Sequence, residues 1–269
     1  MIDLIDSHCH LHEIEEALTP THDRWFTDKV ERTAVTVLDA AKASDVNRII
    51  CIGTTLADSQ LATQFAAEHD NVWASIGIHP HEAKDHRSED VQRVFALLAS
   101  KPKVVAVGEC GLDYYYNLSP KDDQEALLRF QIELALEHDL PLSFHVRDAF
   151  DDFWPIFDSY TGIKGVLHSY TDNMANLEKG LERGLYIGVN GIATFGRDEA
   201  KRVINRTIPL NRLLLETDAP YLTPLPYRGK VCEPKHVRVT AEFMADLREI
   251  SLSELAEITT ANAEELFKI

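Results

Sequence analysis

The sequence predicts a single-domain (β/α)8 barrel spanning residues 1–269, and three observations carry that reading. Short apolar runs rich in β-formers alternate with longer helical patterns along nearly the whole chain, as repeated βα units around a parallel sheet do. The runs number eight, and 269 residues suit a barrel that typically takes about 250. Histidines and carboxylates fall at the ends of these runs, on the rim where such barrels build their active sites.

The runs are IDLIDSH (2–8), VNRIICIG (46–53), VWASIGIH (72–79), VVAVGE (104–109), LPLSFHV (140–146), KGVLHS (164–169), LYIGVN (185–190) and RLLLETD (212–218). Helices are predicted between them at 29–44, 56–69, 88–100, 121–138, 149–159, 172–183 and 197–205, with an eighth at 234–249. Ser119-Pro120 and the acidic residues after them suit the start of the fourth helix, and Leu127, Phe130 and Leu134 recur on one face of it. Ser251 and Glu254 form a capping-box pattern ahead of Leu252, Leu255 and Ile258, which predicts an extra C-terminal helix that packs on the barrel. Residues 13–28 are irregular. In a barrel they lie on the active-site rim and read as a lid or substrate loop.

Composition narrows the partners. Hydrophobic residues make up 45%, enough for a large core, yet no stretch approaches the roughly 20 apolar residues of a membrane span. No secretory signal is visible at the N-terminus, so a cytoplasmic protein is expected, with no membrane and no obligate protein partner evident. The four cysteines are far apart and in no CxxC pair, which favours reduced thiols. A formal charge of −17 argues against a broad phosphate-binding surface, so any nucleic acid must be held locally.

The ring of ligand-type residues starts in IDSHCHLH. In an extended chain His8 and His10 share a face while Cys9 points away, so both imidazoles can reach one ion. His79 ends the third run, Glu109 the fourth, His145 the fifth, His168 the sixth, and Glu216 and Asp218 the eighth. Each has a plainer reading. His145 and His168 could be hydrogen-bonded core imidazoles, Glu109 an ion-pair partner, and Asp218 a turn cap before Pro220. A carboxylate at the end of an apolar strand is nonetheless costly to bury without a cation, and such placement at six strand ends together marks a metal site.

The stretches DSHCHLH, GIHPH, GECGLDYYY, LPLSFHVRDA, LHSYT and LLLETDAPYLTPLPYRGK, in that order, resemble the motifs of the TatD-like metal-dependent deoxyribonucleases, hydrolases of the amidohydrolase type. The resemblance implies that His8, His10 and Asp218 hold one divalent ion, His145 and His168 a second, and that Glu109 bridges them. Glu216 and His79 match nearby active-site positions and are expected to contact substrate. It also implies a nuclease acting from the 3′ end of single-stranded DNA. His12 stands where the family usually has Asp, and reads as lying behind the ligands or on the surface. Cys232 stands where Asn is usual.

Two ions would ease the ionisation of water near neutral pH, with Asp218 the first choice to accept the proton and Glu109 the other catalytic carboxylate. Arg147, Arg228 and Lys230 are candidates to grip phosphate, although Arg147 could equally pair with Asp148. Asp113 and Tyr114 to Tyr116 could line the cleft, where the rings would stack bases, or simply pack. Magnesium, manganese and zinc are the candidate ions; mixed nitrogen and oxygen donors suit zinc or manganese, while the family's nuclease activity goes with magnesium. Two rivals remain: a metal-dependent hydrolase of a non-nucleic-acid ester, lactone, amide or phosphotriester, and a non-catalytic binding barrel.

Overall fold

The computed structural model describes residues 2–85, 89–195 and 199–269. Its strands are β1 (Leu4–Cys9), β2 (Val46–Ile52), β3 (Val72–Ile76), β4 (Val104–Asp113), β5 (Leu142–Arg147), β6 (Gly165–Leu167), β7 (Tyr186–Val189) and β8 (Leu213–Leu215). They form one eight-stranded sheet in sequence order, the (β/α)8 fold. The helices are α1 (Pro20–Trp25), α2 (Ala34–Lys42), α3 (Leu56–Glu68), α4 (Glu89–Ala99), α5 (Lys121–Glu137), α6 (Phe150–Asp158), α7 (Met174–Glu182), α8 (Glu199–Thr207), α9 (Val237–Arg248) and α10 (Leu252–Phe267).

By its contacts the chain groups into two compact units, one running to Cys51 and resuming at Ser169–Glu265, the other spanning Ile52–His168 with Leu266–Lys268. In the first, β1 is buried along its whole length, as a strand of a parallel sheet covered on both faces must be. It pairs with β2 through Asp6↔Ile49 and Cys9↔Cys51. On its other edge a parallel bridge joins Cys9 to Ala219 just past β8. Asp6 secures that edge: it is fully buried, and accepts from both the backbone N–H of Thr217 (2.9 Å) and the Thr217 hydroxyl.

In the second unit, β4 pairs with β3 at Ile76↔Val107 and with β5 at Gly111↔His145 and Asp113↔Arg147. Gly111 is required here. Its φ is +149°, and an added Cβ would fall inside the His145 carbonyl, so only glycine lets the two strands run this close. Phe144 packs edge-to-face on Phe153, with ring centroids 5.1 Å apart, and ties β5 to α6.

Several boundaries differ from the sequence reading. The helix expected over 29–44 begins at Ala34, because Thr33 and Thr36 form a reciprocal cap there. Strand β4 runs four residues past Glu109. Strands β6 and β8 stop before His168 and Asp218, which therefore sit on the turns that follow. The first residues of the helices expected at 88–100 and 197–205 lie outside the described residues. Ser119 does not cap α5. Its hydroxyl donates to the His81 carbonyl and accepts from the Lys84 N–H, leaving Asp122 and Asp123 to favour the helix start. The extra C-terminal helix is α10, with Ser251 Oγ accepting from the Glu254 N–H at 3.1 Å.

Candidate functional site

The backbone builds the first cluster. Asp218 N–H donates to the His8 carbonyl and His10 N–H to the Ala219 carbonyl, both at 2.8 Å, so the end of β1 and the turn after β8 are fastened together. The side chains of His8, His10 and Asp218 consequently converge: Asp218 Oδ1 lies 3.7 Å from His8 Nε2 and 3.4 Å from His10 Nε2. Both separations exceed the usual hydrogen-bond range of about 2.7–3.2 Å. They match the roughly 3.4 Å between two ligands that each stand about 2.1 Å from one tetrahedral ion. The donor set therefore fits a divalent cation.

Residues 13–28 form a wall beside this cluster rather than a loose loop. They begin in the last two residues of a 3-10 turn, Leu11–Ile14, and include all of α1. Trp25 is fully buried and its indole N–H donates to the His10 carbonyl at 3.1 Å. Thr21 Oγ1 lies 3.0 Å from the hydroxyl of Tyr221, whose ring meets that of His10 edge-on. His12 is fully buried, which removes the surface alternative, and it hydrogen-bonds Cys51. All four cysteines are free and buried.

The second cluster surrounds Glu109. His145 faces it through Nδ1 at 2.8 Å, His79 Nε2 lies at 3.6 Å and His168 Nε2 at 3.8 Å. His79, Glu109 and His145 offer three ligand atoms close enough to share an ion. His79, which the sequence suggests as a substrate contact, is thus placed among the possible ligands. The other ring nitrogen of His145 is 2.9 Å from Asp113 Oδ2, and His81 Nε2 is 3.1 Å from the same oxygen.

Asp113 is the residue the sequence reading placed least well. It is fully buried and does not line the cleft; it orients two imidazoles while its Oδ1 accepts from the Tyr116 N–H. A carboxylate holding the far side of a ligand histidine is the usual support of a metal site. Burial alone would raise the Asp113 carboxyl, but hydrogen bonds from His145 and His81 hold it well below the usual carboxylate range. Burial would likewise lower His145, yet Asp113 and Glu109 together lift it to about 9. His79 has no such pair of close carboxylates, and burial pushes it well below its ordinary value. The signal that could have found Asp113 is its position in GECGLD: on a strand it lies four residues past Glu109, and so on the same face.

The remaining candidates are scattered. Glu216 is buried, and its Oε1 accepts from the Ser169 N–H at 2.7 Å and from Asn190 Nδ2 at 3.4 Å. Gly188 leaves the room its carboxylate fills. Arg147 stacks over Tyr115, 4.0 Å from the ring centroid, instead of pairing with Asp148. Arg228 is exposed over Phe195 at 4.4 Å, and Lys230 sits 5.7 Å from the Tyr227 centroid.

With this geometry in hand, the comparisons with known proteins are decisive about family. The family model described as TatD related DNase matches residues 5–268. The chain belongs to the TatD family. It is 37% identical to the metal-dependent hydrolase YabD of Bacillus subtilis over 268 residues, covering 99% of each chain. It is also 37% identical to the 3′-5′ ssDNA/RNA exonuclease TatD of Citrobacter rodentium over 240 residues, 87% of this chain and 91% of that one. The crystal structure of the TatD homologue YJJV from Escherichia coli K12 superposes with a TM-score of 0.84 at 26% identity, covering 99% of this chain and 98% of that one. TatD-family membership, the barrel and clusters suited to divalent metals together make the chain a metal-dependent hydrolase.

Proposed function

We propose that this TatD-family hydrolase is a 3′-5′ exonuclease of single-stranded DNA that works with two divalent ions. The observation that carries the reading is the His8, His10 and Asp218 arrangement, in which two imidazoles face one carboxylate oxygen at ligand spacing rather than hydrogen-bond spacing. His145, His168 and Glu109 are assigned to the second ion, with His79 beside them, and the resemblance gives Glu109 to both ions. When bound, the ions supply Lewis acidity that eases the ionisation of water and offsets phosphoryl charge.

The chain's own residues do the rest. Asp218 is placed to take the proton of the attacking water. Asp113 keeps His145 oriented, and Asp6 and the backbone bonds at Ala219 keep His8, His10 and Asp218 in register. The Citrobacter relative supports the substrate and polarity. The −17 charge supports a strand end over a long duplex, because few cations are available to hold a duplex backbone.

The test is a time course on a 5′-labelled single-stranded oligonucleotide with Mg²⁺, Mn²⁺ or Zn²⁺. A ladder shortening stepwise from the unlabelled end is expected. Internal cuts appearing first, or equal rates on closed circular DNA, would overturn the exonuclease reading. No cleavage with any ion would move the assignment to a hydrolase of a non-nucleic-acid ester, lactone, amide or phosphotriester, which a substrate panel would then identify.

A further inference from the structure

We infer that Arg147, Tyr115 and Tyr116 form a nucleotide clamp that holds the phosphate and base next to the one being cleaved; the inference rests on the nuclease reading above. Arg147 is the last residue of β5, two positions beyond His145 and therefore on the same face. At the rise of a β-strand it stands about 6.6 Å further along than the ligand histidine, comparable to the step between successive phosphates of an extended strand. Its guanidinium carbon lies 4.0 Å from the Tyr115 centroid and 4.9 Å from that of Tyr116. Among the described residues, rings and not carboxylates hold this cation.

Arg147 thus makes no ion pair among the described residues even though the chain has 44 acidic and 27 basic residues. Stacking fixes the guanidinium plane and leaves its N–H edge free, and that edge is the part that takes a phosphate by two parallel hydrogen bonds. The rings are themselves available: Tyr115 is 58% exposed and Tyr116 54%, so each retains a face or edge for a base.

The clamp is joined to the proposed metal ligands by direct contacts. Tyr116 meets His81 edge-on with centroids 5.5 Å apart, His81 lies 3.1 Å from Asp113, and Asp113 lies 2.9 Å from His145. The backbone fixes the same relation, since Asp113 pairs with Arg147 and Tyr114 N–H donates to the Arg147 carbonyl at 3.0 Å. A strand end seated at Glu109 and His145 therefore meets Arg147 and the tyrosines as its next contact. A mononucleotide could not reach them, so the clamp also favours chains over single nucleotides.

The test is equilibrium binding, which does not depend on turnover. Fluorescence anisotropy of a 5′-fluorescein hexathymidylate is measured with the metal-loaded Asp218→Asn protein, alone and with Arg147→Met, Arg147→Lys, Tyr115→Leu or Arg129→Met added. Arg147→Met is expected to weaken binding about tenfold and to reduce the slope of log K against log salt by about 0.7, the share of one phosphate contact on a single strand. Arg147→Lys should restore the slope while recovering only part of the affinity. Tyr115→Leu should cost about tenfold, within the range of one lost base stack, and should abolish the preference for the normal oligonucleotide over one with an abasic second position. Arg129→Met, an equal loss of charge on α5, should change binding less than twofold.

Unchanged affinity and slope in Arg147→Met, an effect matched by Arg129→Met, or no oligonucleotide binding at all would overturn the clamp. The two readings fail separately. Stepwise cleavage with no effect of Arg147→Met on binding removes the clamp alone. Weakened binding in Arg147→Met without any DNA cleavage keeps the clamp and removes the nuclease.

Discussion

The clusters around Asp218 and Glu109 are built from the same residue types by opposite means. Main-chain hydrogen bonds at Asp218 and His10 fasten the first, and its carboxylate stands 3.4 and 3.7 Å from the imidazole nitrogens, at ligand spacing. Side chains hold the second: His145 closes to 2.8 Å on Glu109 and 2.9 Å on Asp113, where protons make the links. The difference teaches which site is pre-formed. An ion can enter the first cluster with little rearrangement, whereas in the second it must displace a proton and part His145 from Glu109. The first should bind more tightly and respond less to pH.

The largest expected effect tests the first cluster's carboxylate. Asp218→Asn keeps the shape but removes a charge and a proton acceptor, and should lower turnover by about 10²–10⁴-fold, the usual worth of a positioned general base. Circular dichroism should match the wild type, because the backbone N–H that bonds to the His8 carbonyl is untouched. Activity within threefold of wild type with every divalent ion would refute the role. For the second cluster, Asp113→Asn should weaken binding of the second ion by about 10–100-fold, as losses behind a ligand histidine do, while the first ion stays bound. Calorimetric metal titration would check this; equal losses at both sites would erase the contrast between them.

The pH dependence sharpens the same comparison. With its pKa lifted to about 9, His145 is protonated in the metal-free protein near neutral pH, whereas metal binding requires the neutral ring. Apparent affinity for the second ion should therefore rise about tenfold per pH unit between pH 7 and 9 and level off above that. Titrations in two buffers of different ionisation enthalpy should show about one proton released at pH 7. A flat profile over this range would show that the His145 links to Glu109 and Asp113 do not compete with metal.

What the sequence disclosed of this arrangement depended on period and type. Eight apolar runs give eight strands, because that follows from local rules that tertiary packing does not overturn, and His8 and His10 both reach Asp218 although β1 ends at Cys9 and His10 lies on the turn after it. The role of Asp113 was hidden for a physical reason. The fourth apolar run is read as ending at Glu109, but β4 continues through Asp113, where Gly111 permits the close approach to His145. The wall made by residues 13–28 was equally illegible. Thr19 and Pro20 cap α1 locally, but what ties the segment to the first cluster is the indole hydrogen bond to the His10 carbonyl and the Thr21–Tyr221 contact across 200 positions, neither of which any local pattern encodes.

That wall supplies the smallest effect and the finest test of the contrast. Trp25 donates its indole N–H to the carbonyl of His10, the residue whose own N–H bonds Ala219. Trp25→Phe preserves most of the buried ring and deletes the donor, leaving a buried carbonyl with one fewer partner. A neutral hydrogen bond of this kind contributes about 0.5–1.5 kcal/mol, so stability should fall by about 1 kcal/mol. If the first cluster is held by its backbone, part of that loss must reach the metal: its affinity for the first ion should drop two- to tenfold, with the second ion unaffected. Denaturant unfolding and calorimetric metal titration on one preparation separate the two quantities. A stability loss with no change in first-ion affinity would mean that the bonds to Ala219 and His8 alone set the ligand geometry, and that residues 13–28 shape the entrance without tuning the metal.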